Sequence, residues 1–271
     1  MKKIVSVQDI SCYGQCSLTV ALPILSSYGI ETAIMPSAIL STHTSGFKNF
    51  TVLDLTEELF KILNHWVDEN IKFDAIYTGY IGDVRQFDLV SQAKERILNK
   101  NGLLVVDPAM ADNGKLYPAL NEEIVLGMRK IVAESDITIP NITEACLLLD
   151  VPYRETYDLE FAKGLAYNIA QMGPKKVIIT GLTVIKGKIS VLCYDKENDE
   201  YIYNEENICK KSYHGTGDIF SSVLIAHILN GDSINDAIKK SMIFVIDAIN
   251  KTMDDDSHNY GVKFEQVLNE K

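Results

Sequence analysis

Short apolar runs rich in β-branched residues alternate along the chain with longer amphipathic stretches. The short runs predict strands over residues 4–7, 32–36, 75–78, 103–106, 137–139 and 177–180. The amphipathic stretches carry apolar residues three and four positions apart, and they predict helices over 18–28, 56–69, 85–99, 122–133, 159–172, 218–229 and 233–250. Such alternation is typical of a mainly parallel sheet between two layers of helices.

Two further apolar segments, 188–194 and 200–204, follow one another with only a polar turn between them. This spacing predicts an antiparallel hairpin at an edge of the sheet. The chain has 271 residues, and no stretch rich in Pro, Gly and Ser divides it. We therefore expect a three-layer α/β/α fold that forms a single domain over residues 1–271, since α/β domains reach about 200–250 residues undivided.

The 37 acidic and 26 basic side chains leave a net charge of -11. A negative charge does not attract the phosphates of nucleic acids and repels anionic membranes. We therefore expect neither a nucleic acid nor a membrane as a partner. The absence of a long apolar run and of a signal-peptide core predicts a cytoplasmic protein. The five cysteines are scattered without a Cys-x-x-Cys pair, which predicts reduced thiols and no zinc site.

Polar and glycine-containing segments follow the predicted strands. In open parallel sheets the carboxyl ends of the strands share one rim, and ligands bind there. The segments concerned are 8–14, 79–83, 107–112, 140–144, 180–181 and 215–218. Their acidic, amide and glycine residues predict a functional site at that rim.

Gly215-Thr216-Gly217-Asp218 stands just before a strongly apolar helix. Successive backbone N–H groups at a helix start, with the positive end of the helix dipole behind them, form a site for an anion such as phosphate. Glycine lets a phosphate approach the backbone because it has no Cβ. The competing interpretation is a plain turn in which Asp218 caps its own helix.

The common nucleotide and hydrolase motifs are missing from the sequence. Phe220 occupies the last glycine position of a G-x-G-x-x-G pattern that begins at Gly215, and residues 181–188 do not fit a P-loop. No G-x-S-x-G or H-E-x-x-H motif occurs, which weakens hydrolase interpretations. A nicotinamide or methyl-donor enzyme would need a glycine fingerprint after the first strand, and that segment lacks one.

Three acidic residues lie in the predicted rim segments. Asp107, Asp112 and Glu144 offer carboxylate oxygens, which are the ligands that magnesium–phosphate complexes use. Two alternatives stay open at this point. Asp112 also fits an acid of a surface loop, and Asn141-x-x-Glu144 also fits a helix start whose acid interacts with the helix dipole.

The order of these motifs resembles the ribokinase-like superfamily, in particular its vitamin B6 branch, the pyridoxal/pyridoxamine kinases. The resemblance runs over nearly the whole chain and implies a ribokinase-like fold. Any one matching segment is weak evidence, but together they are specific. These segments are Ser6-Val7-Gln8, Tyr13-Gly14, Thr42-His43-Thr44, Gly79-Tyr80-Ile81-Gly82, Asp107-Pro108-Ala109-Met110, Pro140-Asn141-Ile142-Thr143-Glu144-Ala145, Val177-Ile178-Ile179-Thr180 and Gly215-Thr216-Gly217-Asp218.

The resemblance implies ATP-dependent phosphorylation of the 5'-hydroxymethyl group of a vitamin B6 vitamer, namely pyridoxamine, pyridoxal or pyridoxine. Asp218 would act as general base on that hydroxyl, and the amides of Gly215, Thr216 and Gly217 would stabilise charge on the transferring phosphoryl group. A helix start favours the ionised carboxylate, so Asp218 is expected to be a weak base that mainly orients the hydroxyl.

The same resemblance implies the residues on the nucleotide side. Asp107 and Glu144 look like the acids on the side of Mg2+, with Glu144 acting through water. Asp112, Asn141 and Thr180 look like ATP contacts. Relatives are commonly homodimers, so a homodimer is implied as well.

Asp9, His43 and Tyr80 would line the vitamer pocket by this resemblance, with His43 on the polar ring substituents and Tyr80 on the ring face. Many relatives have Ser where Asp9 stands, and a carboxylate there favours an amine-bearing vitamer such as pyridoxamine. Ile139 stands where a Thr often helps to bind a monovalent cation. Whether a monovalent cation binds therefore stays an open question, and Ile139 argues against activation by potassium.

Two other functions stay open. Hydroxymethylpyrimidine (phosphate) kinases share the fold, but they typically have a Gly-rich stretch after the first strand, where this chain has Tyr13. From another class, the chain could be a catalytically inactive vitamer-binding regulator, since a fold alone does not prove activity. The presence of Asp218 and of both glycines of the predicted anion site, Gly215 and Gly217, argues against the regulator.

Overall fold

The computed structural model describes residues 1–44, 46–118 and 120–270. The strands are β1 (Lys3–Ser11), β2 (Glu31–Leu40), β3 (Val52–Asp54), β4 (Phe73–Thr78), β5 (Leu98–Val106), β6 (Ala111–Asp112), β7 (Lys115–Leu116), β8 (Ile137–Thr138), β9 (Lys176–Leu182), β10 (Lys188–Asp195) and β11 (Glu200–Asn207). The helices are α1 (Leu18–Ser27), α2 (Thr56–Asp68), α3 (Arg85–Ile97), α4 (Glu122–Glu134), α5 (Ile142–Leu149), α6 (Leu159–Met172), α7 (Thr216–Leu229), α8 (Ile234–Thr252) and α9 (Phe264–Leu268).

The chain divides into two compact units. The first unit consists of Met1–Leu55 and Ile208–Lys271, and it contains β1 to β3, α1 and α7 to α9. The second unit is the continuous segment Thr56–Asn207, with the remaining elements. This division does not test the prediction of a single domain over residues 1–271, which stays a prediction.

The first unit is built on a parallel pair of strands. β1 pairs with β2 in parallel, and β3 pairs with β2 in the antiparallel direction. Helix α7 is buried on nearly all sides, as expected of a helix that is apolar all round. Apolar side chains of α1, α7, α8 and α9 form a common core with Val262. Because each fully buried Ile, Val or Phe contributes about 1.5–3 kcal/mol, this core fixes the position of the amino-terminal end of α7.

The second unit contains further parallel strands and the predicted hairpin. β4 pairs with β5, β5 with β8, and β8 with β9, all in parallel. β10 pairs with β9 and with β11 in the antiparallel direction, which confirms the hairpin expected over 188–204. None of the helices in the described ranges is long and apolar enough to span a membrane.

The predicted strands and helices are all present, but β5 begins at Leu98, inside the helix predicted over 85–99 and five residues before the predicted start of this strand. The remaining differences lie at helix starts and at short elements. Helix α7 begins at Thr216, two residues before the predicted start. Helix α5 follows β8 after a short link and realises the helix start that Asn141-x-x-Glu144 allowed. Four elements of five residues or fewer, β3, β6, β7 and α9, were not predicted, because segments this short carry no periodic pattern.

Candidate active site

Asp9 lies near the carboxyl end of β1, where the strand is buried. Successive side chains of a strand alternate between its two faces, so residues two apart are neighbours. Accordingly the hydroxyl of Ser11 donates to Oδ2 of Asp9 at 3.0 Å. The pairing of β1 with β2 changes register at this point, with Gln8 opposite Pro36 and Ile10 opposite Ile39. Asp9 therefore sits at an irregularity of the sheet, a place where side chains are often re-aimed toward a site.

Ser17 connects the first loop to helix α7. Its backbone N–H donates to Oδ2 of Asp218 at 3.0 Å. Its hydroxyl is hydrogen-bonded to the carboxyl of Asp9. Ser17 has φ 52° and ψ -132°, a backbone conformation that non-glycine residues rarely adopt. One strained residue thus contacts both acids that the sequence singled out in this unit.

The start of α7 has the geometry of an anion site. Its N-cap is Gly215, so Asp218 occupies the third helical position and the interpretation of Asp218 as an N-cap is wrong. The first intrahelical bond runs from the N–H of Ile219 to the carbonyl of Gly215 at 3.1 Å. The N–H groups of Thr216, Gly217 and Asp218 precede that bond, and such first-turn donors have no acceptor within their helix.

The two glycines of this turn differ in what requires them. Gly215 has φ +79°, and a Cβ there would lie 1.9 Å from the carbonyl oxygen of Gln15. Folding alone therefore demands glycine at 215. A Cβ on Gly217 would meet nothing within 4 Å. Open space in front of a helix start is what a bound phosphate requires.

His43 is a buried loop residue that the backbone orients. Its N–H donates to the carbonyl of Tyr13 at 3.2 Å. Its Nε2 lies 3.2 Å from the carbonyl of Tyr260, which also accepts from the N–H of Gln15 at 3.1 Å. Since a carbonyl only accepts, Nε2 carries the proton in this contact. The carboxy-terminal segment around Tyr260 therefore holds both the first loop and His43.

Glu144 organises the loop after β5 in the second unit. Its Oε1 accepts from the N–H groups of Met110 at 3.0 Å and Ala111 at 3.4 Å, and its Oε2 accepts from the N–H of Asn141 at 2.8 Å. The side chain of Asn141 accepts from the N–H of Glu144 at 3.0 Å, which completes a capping box at the start of α5. Burial raises the pKa of Glu144 to about 7, although the three N–H donors act in the opposite direction.

The other residues predicted for the nucleotide side lie around this box. The amide of Asn141 donates to the carbonyl of Ala111 at 2.7 Å, and Asn141 forms an isolated bridge with Thr180. Asp107 is buried, and its Oδ1 accepts from the N–H of Ala109 at 3.3 Å. Asp112 is exposed, and both its oxygens bind Asn113, at 2.8 and 3.0 Å. The structure thus brings together Asp107, Asp112, Asn141, Glu144 and Thr180 within this unit.

Tyr80, the third residue predicted for the vitamer pocket, is half-buried in the second unit and packs beside Gly82, where a Cβ would lie 3.2 Å from its ring. His43 and Asp9 belong to the first unit. A pocket shared by these three residues stays a prediction.

The acids of the second unit are candidates for holding a magnesium ion. The described residues contain no group of three or more His, Cys, Asp or Glu side chains that could hold a metal. Mg2+ in kinases needs fewer, because it is held by one or two carboxylates together with waters and substrate phosphates. Asp107 fits such a role. Glu144 fits it through water, since three backbone donors occupy its oxygens.

The chain is similar to known proteins over most of its length. Residues 22–263 match the family model of phosphomethylpyrimidine kinase. The chain belongs to the phosphomethylpyrimidine kinase family. The chain is 25% identical over 268 residues to the pyridoxal kinase PdxY of Pasteurella multocida (strain Pm70), and the match covers 95% of this chain and 92% of that protein. It also matches the thiamine biosynthetic bifunctional enzyme TH1 of Arabidopsis thaliana at 24% identity, but spans only 44% of its length.

Solved structures of this family share the fold. A Bacteroides thetaiotaomicron VPI-5482 protein, provisionally named a phosphomethylpyrimidine kinase and crystallised with pyridoxal, is 38% identical with a TM-score of 0.95, over 99% of this chain and 95% of that chain. Pyridoxal kinase from Lactobacillus plantarum is 28% identical with a TM-score of 0.91, over 100% and 96% of the two chains. The predicted ribokinase-like α/β fold and the resemblance to pyridoxal kinases are confirmed.

Sequence reasoning missed Ser17 and Tyr260 in this family member. Ser17 matters through its backbone, and no residue pattern signals that a serine adopts a conformation typical of glycine. Tyr260 matters through its carbonyl, which every residue has. The only sequence signal near either residue was the match of Tyr13-Gly14 to related kinases.

Proposed function

We propose that this chain transfers the γ-phosphoryl group of ATP to the 5'-hydroxymethyl group of a vitamin B6 vitamer. The observation that carries the proposal is the start of α7. There a carboxylate held by the N–H of Ser17 stands in the same turn as first-turn N–H groups that face open space at Gly217. The names of the relatives support it, since PdxY and the Lactobacillus plantarum protein are pyridoxal kinases.

In this mechanism Asp218 hydrogen-bonds the acceptor hydroxyl and aims its oxygen at phosphorus. The new O–P bond forms as the bond to the β-phosphate oxygen breaks, and Asp218 takes the hydroxyl proton as ADP leaves. The N–H of Ser17 fixes the carboxylate but also stabilises its charge, so Asp218 is a weak base that accepts the proton late. The amides of Gly215, Thr216 and Gly217 stabilise negative charge on the transferring group.

The second unit supplies the nucleotide-side roles of the proposal. Asp107 would hold the Mg2+ of the ATP complex, and Glu144 would act on it through water. When bound, Mg2+ neutralises charge on the phosphates. Asn141, Asp112 and Thr180 contact ATP. Since Ile139 is buried and offers no side-chain oxygen, omission of potassium is expected to leave turnover unchanged.

The second candidate acceptor is hydroxymethylpyrimidine or its phosphate, which the name of the family and the match to TH1 favour. Against it stands the Bacteroides thetaiotaomicron relative, the most similar of the proteins compared above, which was crystallised with pyridoxal. A catalytically inactive vitamer-binding regulator is the candidate of another class. The ordered carboxylate of Asp218 at a helix start argues against it.

One assay separates these functions. The purified chain is incubated with ATP and Mg2+ and with pyridoxamine, pyridoxal, pyridoxine or hydroxymethylpyrimidine, and the phosphorylated product is measured by mass spectrometry. Turnover of a B6 vitamer that exceeds that of hydroxymethylpyrimidine supports the proposal. Turnover of the pyrimidine alone, or binding of vitamers without turnover, rejects it. The same preparation tests the proposed homodimer by light scattering, while fractionation of the cells that produce the protein tests the proposed cytoplasmic location.

A further inference from the structure

Asp9 is a buried carboxyl group without a cationic partner. It is 4% exposed, and no ion pair in the described part of the chain includes it. Its hydrogen-bond partners are the hydroxyls of Ser11 and Ser17 and its own backbone. Carboxylates are almost never buried this deeply unless they are paired. Such a carboxyl keeps its proton while the site is empty, and it can ionise when a cation from outside the chain binds beside it.

Ser17 places Asp9 close to the proposed base. The backbone N–H of Ser17 donates to Asp218, and the hydroxyl of Ser17 is hydrogen-bonded to Asp9. One residue therefore links the two acids. Cys16, the neighbouring thiol, interacts electrostatically with both carboxyls. The two acids therefore form one local cluster within the first unit.

The chemistry of the vitamers fits two acids that are both hydrogen-bonded to one residue. The 5'-hydroxymethyl group and the substituent at position 4 sit on adjacent ring carbons. When Asp218 holds the hydroxyl, the position-4 substituent lies within a few bond lengths of it. That substituent is an aldehyde in pyridoxal, a hydroxymethyl group in pyridoxine and an aminomethyl group in pyridoxamine. An alkyl amine of this kind is protonated at neutral pH, as the side chain of lysine is.

We infer that Asp9 binds the ammonium group of an amine-bearing vitamer and makes pyridoxamine the preferred acceptor. The inference rests on the proposed function and specifies its substrate. Ser11 and Ser17 hold the carboxylate through their hydroxyls, and the ligand supplies the positive charge that the chain does not. A hydroxyl or an aldehyde at position 4 supplies no such charge, so it leaves Asp9 buried and unpaired.

Pyridoxamine and pyridoxine form a matched pair for the test, since they differ only in the group at position 4. We expect kcat/KM for pyridoxamine to exceed that for pyridoxine by about 10- to 100-fold, the range of a hydrogen bond to a charged group. In Asp9→Asn, which keeps the shape but not the charge, that ratio is expected to fall to near one through a higher KM for pyridoxamine. Turnover of pyridoxine by the same variant is the reference for this ratio.

Two controls make the result specific. Asp236→Asn removes the same charge from an exposed position in the first turn of α8 and is expected to leave the ratio unchanged. Asp9→Ser provides a second neutral variant should Asp9→Asn fail to fold. Equal efficiency for the two vitamers in the parent, or a ratio that neither Asp9 variant changes, overturns the inference while the proposed function stands. Failure of the parent to phosphorylate any vitamer overturns the proposed function itself.

Discussion

Two buried carboxyl groups, Asp9 in the first unit and Glu144 in the second, have different partners. Burial raises the pKa of both above the ordinary values of 3.8 and 4.5. Asp9 receives its side-chain hydrogen bonds from serine hydroxyls, which can donate or accept. Glu144 receives its hydrogen bonds from three backbone N–H groups, which only donate. Glu144 is therefore held as an acceptor that shapes a loop, whereas Asp9 keeps partners that adapt to a proton or to a ligand.

The backbone beside Glu144 is relaxed, whereas the backbone beside Asp9 is strained. Asn141, which caps α5 beside Glu144, has the ordinary extended conformation of an N-cap residue, with φ -78° and ψ 176°. Ser17, beside Asp9 and Asp218, has φ 52°. Strain of this kind costs about 1–3 kcal/mol and persists where the surroundings enforce it. The second unit thus fixes its loop by satisfied contacts, while the first holds its acids beside a strained residue, as expected of the ligand site proposed above.

The largest expected effect comes from the carboxylate of Asp218. Asp218→Asn should lower kcat by about 10²- to 10⁴-fold, the range of a general acid–base group, because the amide cannot take the hydroxyl proton. Nucleotide affinity, measured by calorimetric titration, should change little. Asp236→Asn, also an acid of a first helical turn, should keep full kcat. Undiminished turnover in Asp218→Asn would remove Asp218 from the mechanism.

The second largest expected effect comes from the two glycines at the start of α7. Gly215→Ala should lower the free energy of unfolding by about 2–5 kcal/mol, since it combines an unfavourable φ with a contact at 1.9 Å. Gly217→Ala should leave that free energy unchanged or raise it by up to about 1 kcal/mol. If a phosphate uses the open space, Gly217→Ala should nevertheless raise KM for ATP. Urea denaturation and steady-state kinetics measure both effects, and a normal KM in Gly217→Ala would contradict the anion site.

Glu144→Gln tests whether Glu144 shapes the loop. The amide nitrogen of glutamine would face at least one backbone N–H that it cannot satisfy, which should cost about 1–3 kcal/mol of unfolding free energy. Asp112→Asn is the matched control, since the side chain of this exposed residue bonds its neighbour Asn113, and it should stay within about 0.5 kcal/mol of the parent. Equal stability of the two variants in chemical denaturation would contradict the structural role of Glu144.

The smallest effect concerns pH and Asp9. A raised pKa means that the folded chain keeps the Asp9 proton where the unfolded chain has lost it, so stability falls as pH rises above 3.8 through the folded value. Asp9→Asn removes this dependence, so its stability should increase relative to that of the ligand-free parent as the pH rises above 3.8. Cys16 and Asp218, the titratable neighbours, remain in both proteins. Urea unfolding across this range measures the gap, and parallel curves would show that Asp9 does not titrate there.

The sequence predicted the fold better than the site. Buried parallel strands are continuous apolar runs, so β1, β4 and β9 were evident from composition alone. The early start of α7 was missed because glycine has a low helix propensity, although at an N-cap and in a first turn it is tolerated. The residue types of Asp218, Glu144 and Asp9 were predicted from motifs. Their partners were not, because Ser17 and Tyr260 act through backbone atoms that no side-chain pattern reveals.

The conformation of Ser17 has a consequence for engineering the protein. A glycine at this position would relax the backbone and still present an N–H to Asp218. The substitution Ser17→Gly should therefore raise the melting temperature of the protein. It would also delete the hydroxyl that steadies Asp9. The expected result is an enzyme that is more stable to heat but less selective among acceptors. At residue 17, thermal stability and substrate selectivity therefore impose opposite requirements.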